Sequence, residues 1–215
     1  MSETSTFDFN AFIKESKETL VNPKAYFSTM KTSGGWAEPL IKVVIYGAVA
    51  GIIVFLWNVL GLSGLKTGMF GGAIGAMALV WSIVGAVIGL FIGAVILLII
   101  SSVCKGNTDF EANGRVIAAS MVIMPINALL GFTSGISSWL GMIISLGVSL
   151  YALYITYHGL VESLKAKPET AKIVMYILAA LLVLFMLLGM STRNKMNKYM
   201  NSEDLKEMLK DIEQQ

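Results

Sequence analysis

From Thr67 to Cys104 the chain carries no charged residue, a run of 38 positions bracketed by Lys66 and Lys105. A membrane-spanning helix needs only about 20 apolar residues. The run opens rich in glycine (Gly68, Gly71, Gly72, Gly75) and turns steadily apolar from Met77 to Ile100. This pattern predicts a loose approach followed by one long span at about 77–104, with two spans in hairpin as the alternative. Four further apolar stretches, at about 39–62, 115–132, 138–161 and 171–190, are each long enough to cross a bilayer. The expected fold is all-α: a polytopic transmembrane bundle of five spans.

The flanks are amphipathic. Phe9, Phe12, Ile13 and Leu20 share one helical face, with Lys14, Glu15, Lys17 and Glu18 elsewhere. Asn22-Pro23 has the chemistry of a helix restart, an N-cap followed by proline at the first helical position. Residues 1–38 therefore read as surface helices, lying either in the membrane interface or on the protein's own surface. Ser33-Gly34-Gly35 reads as a hinge, and Trp36 as an interfacial anchor. In the polar tail, 191–215, Leu205, Met208, Leu209 and Ile212 mark a short amphipathic helix begun by Asn201 or Ser202.

Composition agrees with this pattern: 55% hydrophobic residues and a mean hydropathy of +0.72 over 215 residues leave no room for a sizeable soluble domain. No cleavable signal peptide is expected in so polar an N-terminus. A net charge of +2 argues against a nucleic-acid partner. With five spans, ten basic residues fall on the side of the N-terminus and six on the other. The positive-inside rule then predicts a cytoplasmic N-terminus, with the 105–115 and 162–172 loops on the same side. Arg193, Lys195 and Lys198 of the tail dissent from that orientation.

Small residues recur at four-residue intervals. Gly47 and Gly51 in the first span, and Gly85, Gly89 and Gly93 in the second, predict faces for close helix packing. Pro125 predicts a kink in the third span.

Several stretches together carry a resemblance: Asn22-Pro23-Lys-Ala-Tyr-Phe before span 1, the Gly-rich second span, Arg115 with Pro125 in the third, and Tyr154-Ile-Thr-Tyr-His158-Gly159-Leu160 closing the fourth. Over roughly residues 20–190 the chain resembles the Yip family of Ypt/Rab-interacting membrane proteins, more its bacterial branch than its eukaryotic one. The resemblance implies five transmembrane helices, a cytosolic N-terminus and association with like membrane proteins. Eukaryotic members act in vesicle traffic with Rab GTPases. Their Asp-Leu-Tyr-Gly-Pro motif is absent here, so a Rab partner is not expected. The implied location is the bacterial cytoplasmic membrane.

Catalytic chemistry leaves little trace. His158 is the single histidine and Cys104 the single cysteine, and no HExxH, phosphate-loop or Gly-x-Ser-x-Gly pattern occurs. Every Asp and Glu lies in a tail, a loop or a span end rather than mid-membrane, where a proton path would place one. Neither an enzyme nor a cofactor or metal is expected. The best candidate cluster is Arg115 with Tyr154, His158 and Glu162. In the structural reading Arg115 pairs with Glu162; in the functional one the cluster holds a lipid headgroup. Two functions follow: a membrane scaffold or adaptor, assembling with itself or other membrane proteins through glycine faces, and a small transporter or lipid-handling protein. A polar cavity open to one side favours the second, and a filled bundle with apolar outer grooves the first.

Overall fold

A computed structural model describes residues 7–62 and 71–200, side chains excepted at 71–76 and 190–200. The expected tail helix at 205–212 and the start of the Gly-rich approach lie outside the described residues. All the regular structure among them is helical, with α1 (Phe9–Val21), α2 (Pro23–Thr29), α3 (Ala37–Val59), α4 (Gly71–Val103), α5 (Phe110–Ser120), α6 (Ile123–Leu130), α7 (Thr133–Ile136), α8 (Ser138–His158) and α9 (Pro168–Met200). Five stretches are long and apolar enough to cross a membrane: Ala37–Val59, Met77–Val103, Phe110–Ile136, Ser138–Ser163 and Pro168–Gly189. The 77–104 stretch is one helix and not a hairpin. α9 runs ten residues past the expected end of its span, because nothing from Ser191 to Met200 is a glycine or proline.

The third span is the hub: 39% of its most apolar window is buried, against 11% for each of the last two spans. It is broken between α5 and α6. Pro125 has no N–H for the Met121 carbonyl, so the ladder opens at Met121–Val122 and α6 restarts at Ile123. The break thus falls one turn before the proline, which itself sits harmlessly in the first turn of α6. α7 turns the chain into α8, with Gly141 seated against Ser134.

The closest helix pair is α3 with α4. A Cβ on Gly47 would stand 3.1 Å from Ile83 Cα, and one on Gly51 2.9 Å from Leu79 Cα, so both glycines face a partner backbone. Ser82 also donates its hydroxyl to the Gly47 carbonyl. The second glycine row behaves differently. Gly89 meets only the tip of Met121 and Gly93 only Ile117, both side chains of the third span, while Gly85 has nothing within 4 Å. The row drifts around the helix because four residues overshoot one turn of 3.6, and Gly85 has already rotated off the contact.

α1, α2 and the two basic loops gather at one end of the bundle, called here the loop end. The loops join each other: the Asn107 amide donates to the Leu164 carbonyl at 2.7 Å and the Lys167 amide to the Cys104 carbonyl at 2.9 Å. Buried Ser101 and Asn113 both donate to the Asn107 carbonyl from below. Lys105 and Lys165 take left-handed backbone conformations to make the pairing. α8 widens into a π-turn at Gly159–Ser163, where Gly159 leaves room for Val116 and Phe27, and Ser163 donates to the Phe27 carbonyl.

Candidate functional site: the charged seam and cleft at the loop end

Two spans open with the same spacing, a glutamate followed four residues later by a cation: Glu38 and Lys42 on α3, Glu111 and Arg115 on α5. In a helix such pairs face each other, and here they also cross. Arg115 donates through Nε to Glu111 at 2.9 Å, through Nη1 to Glu38 at 2.9 Å and through Nη2 to the Gly35 carbonyl at 2.8 Å. Lys42 lies 2.7 Å from Glu38 and 2.6 Å from Glu15 of α1. The result is a chain of alternating charge, Glu15–Lys42–Glu38–Arg115–Glu111, that stitches α1, α3 and α5 together. Both cations are buried, while their carboxylate partners are partly exposed. A planar guanidinium with three acceptors around it is a site for arginine and not for lysine.

Glycines shape the approach to Arg115. Gly34 and Gly35 have φ of +136° and +87°, and a Cβ on Gly34 would stand 3.0 Å from Arg115 Nη2. The Gly35 amide donates to Glu111 at 2.6 Å. The expected hinge is therefore a fixed clamp over the arginine. Trp36 is likewise no free anchor: it packs on Phe91 and Phe110 and fills the space that Gly114 leaves open.

The expected Arg115–Glu162 pair does not form, and this corrects the sequence reading. Val116 packs on Gly159, so Arg115 and Glu162 share a level, but they face different neighbours. Arg115 looks toward α3, whose first turn supplies Glu38. Tyr154 and His158 do meet, edge to face at 4.7 Å, and Tyr154 stacks on Tyr151. His158 Nδ1 is buried without a hydrogen-bond partner. Tyr151 donates its hydroxyl to the Leu20 carbonyl of α1. The sequence-predicted cluster is thus two sites: an arginine clamp and an aromatic row. Sequence reasoning missed Glu15, Glu38, Lys42 and Glu111 as members of the site; the repeated Glu-x-x-x-cation spacing was there to be read for the last three, while Glu15 had no such sign.

Beside the seam a cleft of about 600 Å³ opens between α1, α2 and the first turns of α3. Its walls carry Asp8, Lys14, Glu15, Glu18, Lys31, Glu38 and Lys42, with Phe7, Phe12, Tyr26, Met30 and Ile41 between them. Burial raises the pKa of Tyr26, so its phenol stays a neutral donor. No group of three or more His, Cys, Asp or Glu suited to a metal occurs among the described residues.

Five apolar helices, one end capped by two surface helices and a buried ion seam, define an all-helical polytopic membrane protein. The family model of the Yip1 domain matches residues 17–190, and the chain belongs to that family. The match covers the second half of α1, all five spans and the seam from Lys42 to Glu111, leaving Glu15 just outside; it is to the Yip1 domain and does not single out a bacterial branch. Comparison with curated proteins and with solved structures gives no match.

Proposed function

We propose that this Yip1-family membrane protein is a scaffold or adaptor that holds other membrane proteins, or further copies of itself, beside its last two spans, with the loop end in the cytoplasm. The observation that carries this reading is the contrast within the fold. The loop end is locked by ions and loop pairing, whereas α8 and α9 keep broad apolar flanks outside the bundle, including Trp139, Ile143, Ile177 and Phe185. A rigid base with unfilled lateral faces suits assembly more than transport. The ten-to-six distribution of basic residues supports the orientation. Photo-crosslinkers at Ile143 and Ile177 in native membranes test the role: protein adducts support it, and lipid adducts alone refute it. Single cysteines at Asn107 and Glu169 in a Cys104-free background test the orientation, which labelling from outside the cell would overturn.

One observation favours a second reading, a lipid-handling protein. The described cleft is polar and open to one side, but it lies beside the bundle at its end and not between the spans.

A further inference from the structure

The depth of α1 decides what the cleft can reach. Phe12 of α1 packs on Tyr46 and Val122, and Ser16 shares a hydrogen bond of 2.7 Å with the Tyr46 hydroxyl. Tyr46 lies nine residues into α3, about 13 Å along its axis at 1.5 Å per residue. At its other end α1 touches Tyr151, seven residues before α8 passes at Gly159 into its π-turn and so about 10 Å from that turn. α1 therefore lies across the bundle, well inside the ends of the spans. Phe9 and Ile13, more than half exposed, are left on its surface where lipid would meet them. An in-plane helix of this kind sits at the boundary between headgroups and acyl chains.

The cleft lies on the loop-end side of α1, against Glu38, Ile41 and Lys42 in the first turns of α3. With α3 taken as a span, its first turns would lie at the level of phosphates and headgroups. Its charges divide into two sets. Lys42, Glu15 and Glu38 satisfy one another in the seam. Asp8, Lys14, Lys31 and Glu18 also line the cleft, all exposed, and none takes part in an ion pair among the described residues, although Asp8 is engaged as the N-cap of α1, accepting from the Asn10 and Ala11 amides. With Asp8 held at the start of α1, two ammonium groups and the Glu18 carboxylate are left to complement a ligand that is itself a zwitterion. The lysines would take a phosphate. The carboxylate would take an ammonium with N–H donors, since a quaternary ammonium has none to give it. Ile41 and Val44, both exposed, continue from the cleft along the outside of α3 and offer a track for acyl chains.

We infer that the cleft between α1, α2 and α3 binds a phospholipid with a zwitterionic, primary-ammonium headgroup of the phosphatidylethanolamine type, drawn from the leaflet at the loop end. The inference rests on the lipid-handling reading and names its ligand. Phosphate lies against Lys14 and Lys31, ammonium against Glu18, and the chains run down α3 past Ile41. An anionic lipid fits less well, because its headgroup leaves Glu18 unpaired beside Asp8, Glu15 and Glu38.

Native mass spectrometry of the full chain in detergent, titrated with dioleoyl phosphatidylethanolamine, phosphatidylcholine or phosphatidylglycerol, provides the test. Ethanolamine lipid should occupy the protein about tenfold more than either competitor, equivalent to about 1.4 kcal/mol. Glu18→Gln should remove the preference over choline lipid, and Lys14→Gln with Lys31→Gln should lower occupancy by both zwitterionic lipids. All three side chains are exposed, so the variants should fold; Glu169→Gln, an exposed acid on α9, should change nothing. Equal or greater occupancy by phosphatidylglycerol, or an unaltered preference in Glu18→Gln, overturns the headgroup assignment while leaving lipid handling intact. Absence of any retained lipid overturns both. Glycerophosphoethanolamine, which has the headgroup without chains, should not compete at equal concentration; full competition would overturn the lipid as ligand.

Discussion

Substituting alanine at Gly51, Gly89 and Gly85 in turn should give a graded response, although the chemical change is the same each time. At Gly51 the new methyl would stand 2.9 Å from Leu79 Cα and 3.1 Å from Ser82 Cβ, where carbon atoms rest at about 3.5–4.0 Å. Neither is the tip of a flexible side chain, so α3 and α4 must part by several tenths of an ångström. Overpacking of this kind costs about 1–3 kcal/mol, and parting also strains the Ser82–Gly47 hydrogen bond. At Gly89 the methyl meets the Met121 Cε at 3.2 Å, which can swing aside. At Gly85 it meets nothing, and alanine's better helix propensity favours the variant by up to about 1 kcal/mol. A chain of this size shifts its midpoint by about 2–4 °C per kcal/mol. Gly51→Ala should therefore melt about 2–12 °C below wild type, Gly89→Ala close to it, and Gly85→Ala at or above it. Fluorescence-detected size-exclusion after heating in a mild detergent reads the apparent midpoints under one fixed protocol. If Gly85→Ala falls as far as Gly51→Ala, the account of these helix faces is wrong.

Lys42→Met should cost about 2 kcal/mol, because it strands Glu15 against a buried apolar side chain and leaves Glu38 with Arg115 alone; the partial exposure of both carboxylates holds the loss below the usual cost of breaking a buried pair. Lys17→Met, an exposed change on α1 outside the cleft, should stay within about 0.5 kcal/mol in the same melting assay. Cys104 is fully buried under the paired loops and burial raises its thiol pKa, so maleimide at pH 7 should label it only on unfolding; rapid labelling of native protein would contradict the loop pairing. Pro125→Ala should change stability by less than about 1 kcal/mol, since the proline already occupies the first turn of α6, and a large gain would mean that the break at Met121 stores strain.

The spans were legible because hydropathy over twenty positions is a strong signal and the membrane enforces it. Gly47 and Gly51 were legible as a contact, but periodicity alone could not say that Gly85 had rotated off the face that Gly89 and Gly93 share. Arg115 was recognised as the cation needing a partner. The partner was misassigned because hairpin neighbours in sequence were taken to be neighbours in charge. Glu38 belonged to a stretch read as lying ahead of the first span, and only the helix beginning at Ala37 brings it inside. Trp36 was read as facing the interface for want of any local sign that Gly114, far along the chain, would leave a recess for its ring. Such long-range fits have no periodicity to betray them.

The pairing of the two loops also bears on how the molecule is made. Cys104 and Asn107 finish early in synthesis, but their backbone partners Lys167 and Leu164 arrive only as the last span begins. Until then the end of α4 has exposed peptide groups and an uncovered thiol, and Ser101 and Asn113 hold a turn with no lid. The final helical pair is thus a closing piece that fastens onto a receptor already waiting in the inserted chain. A ribosome-bound intermediate stalled before Leu164 should present Cys104 to a thiol reagent, and one stalled well beyond α9 should hide it.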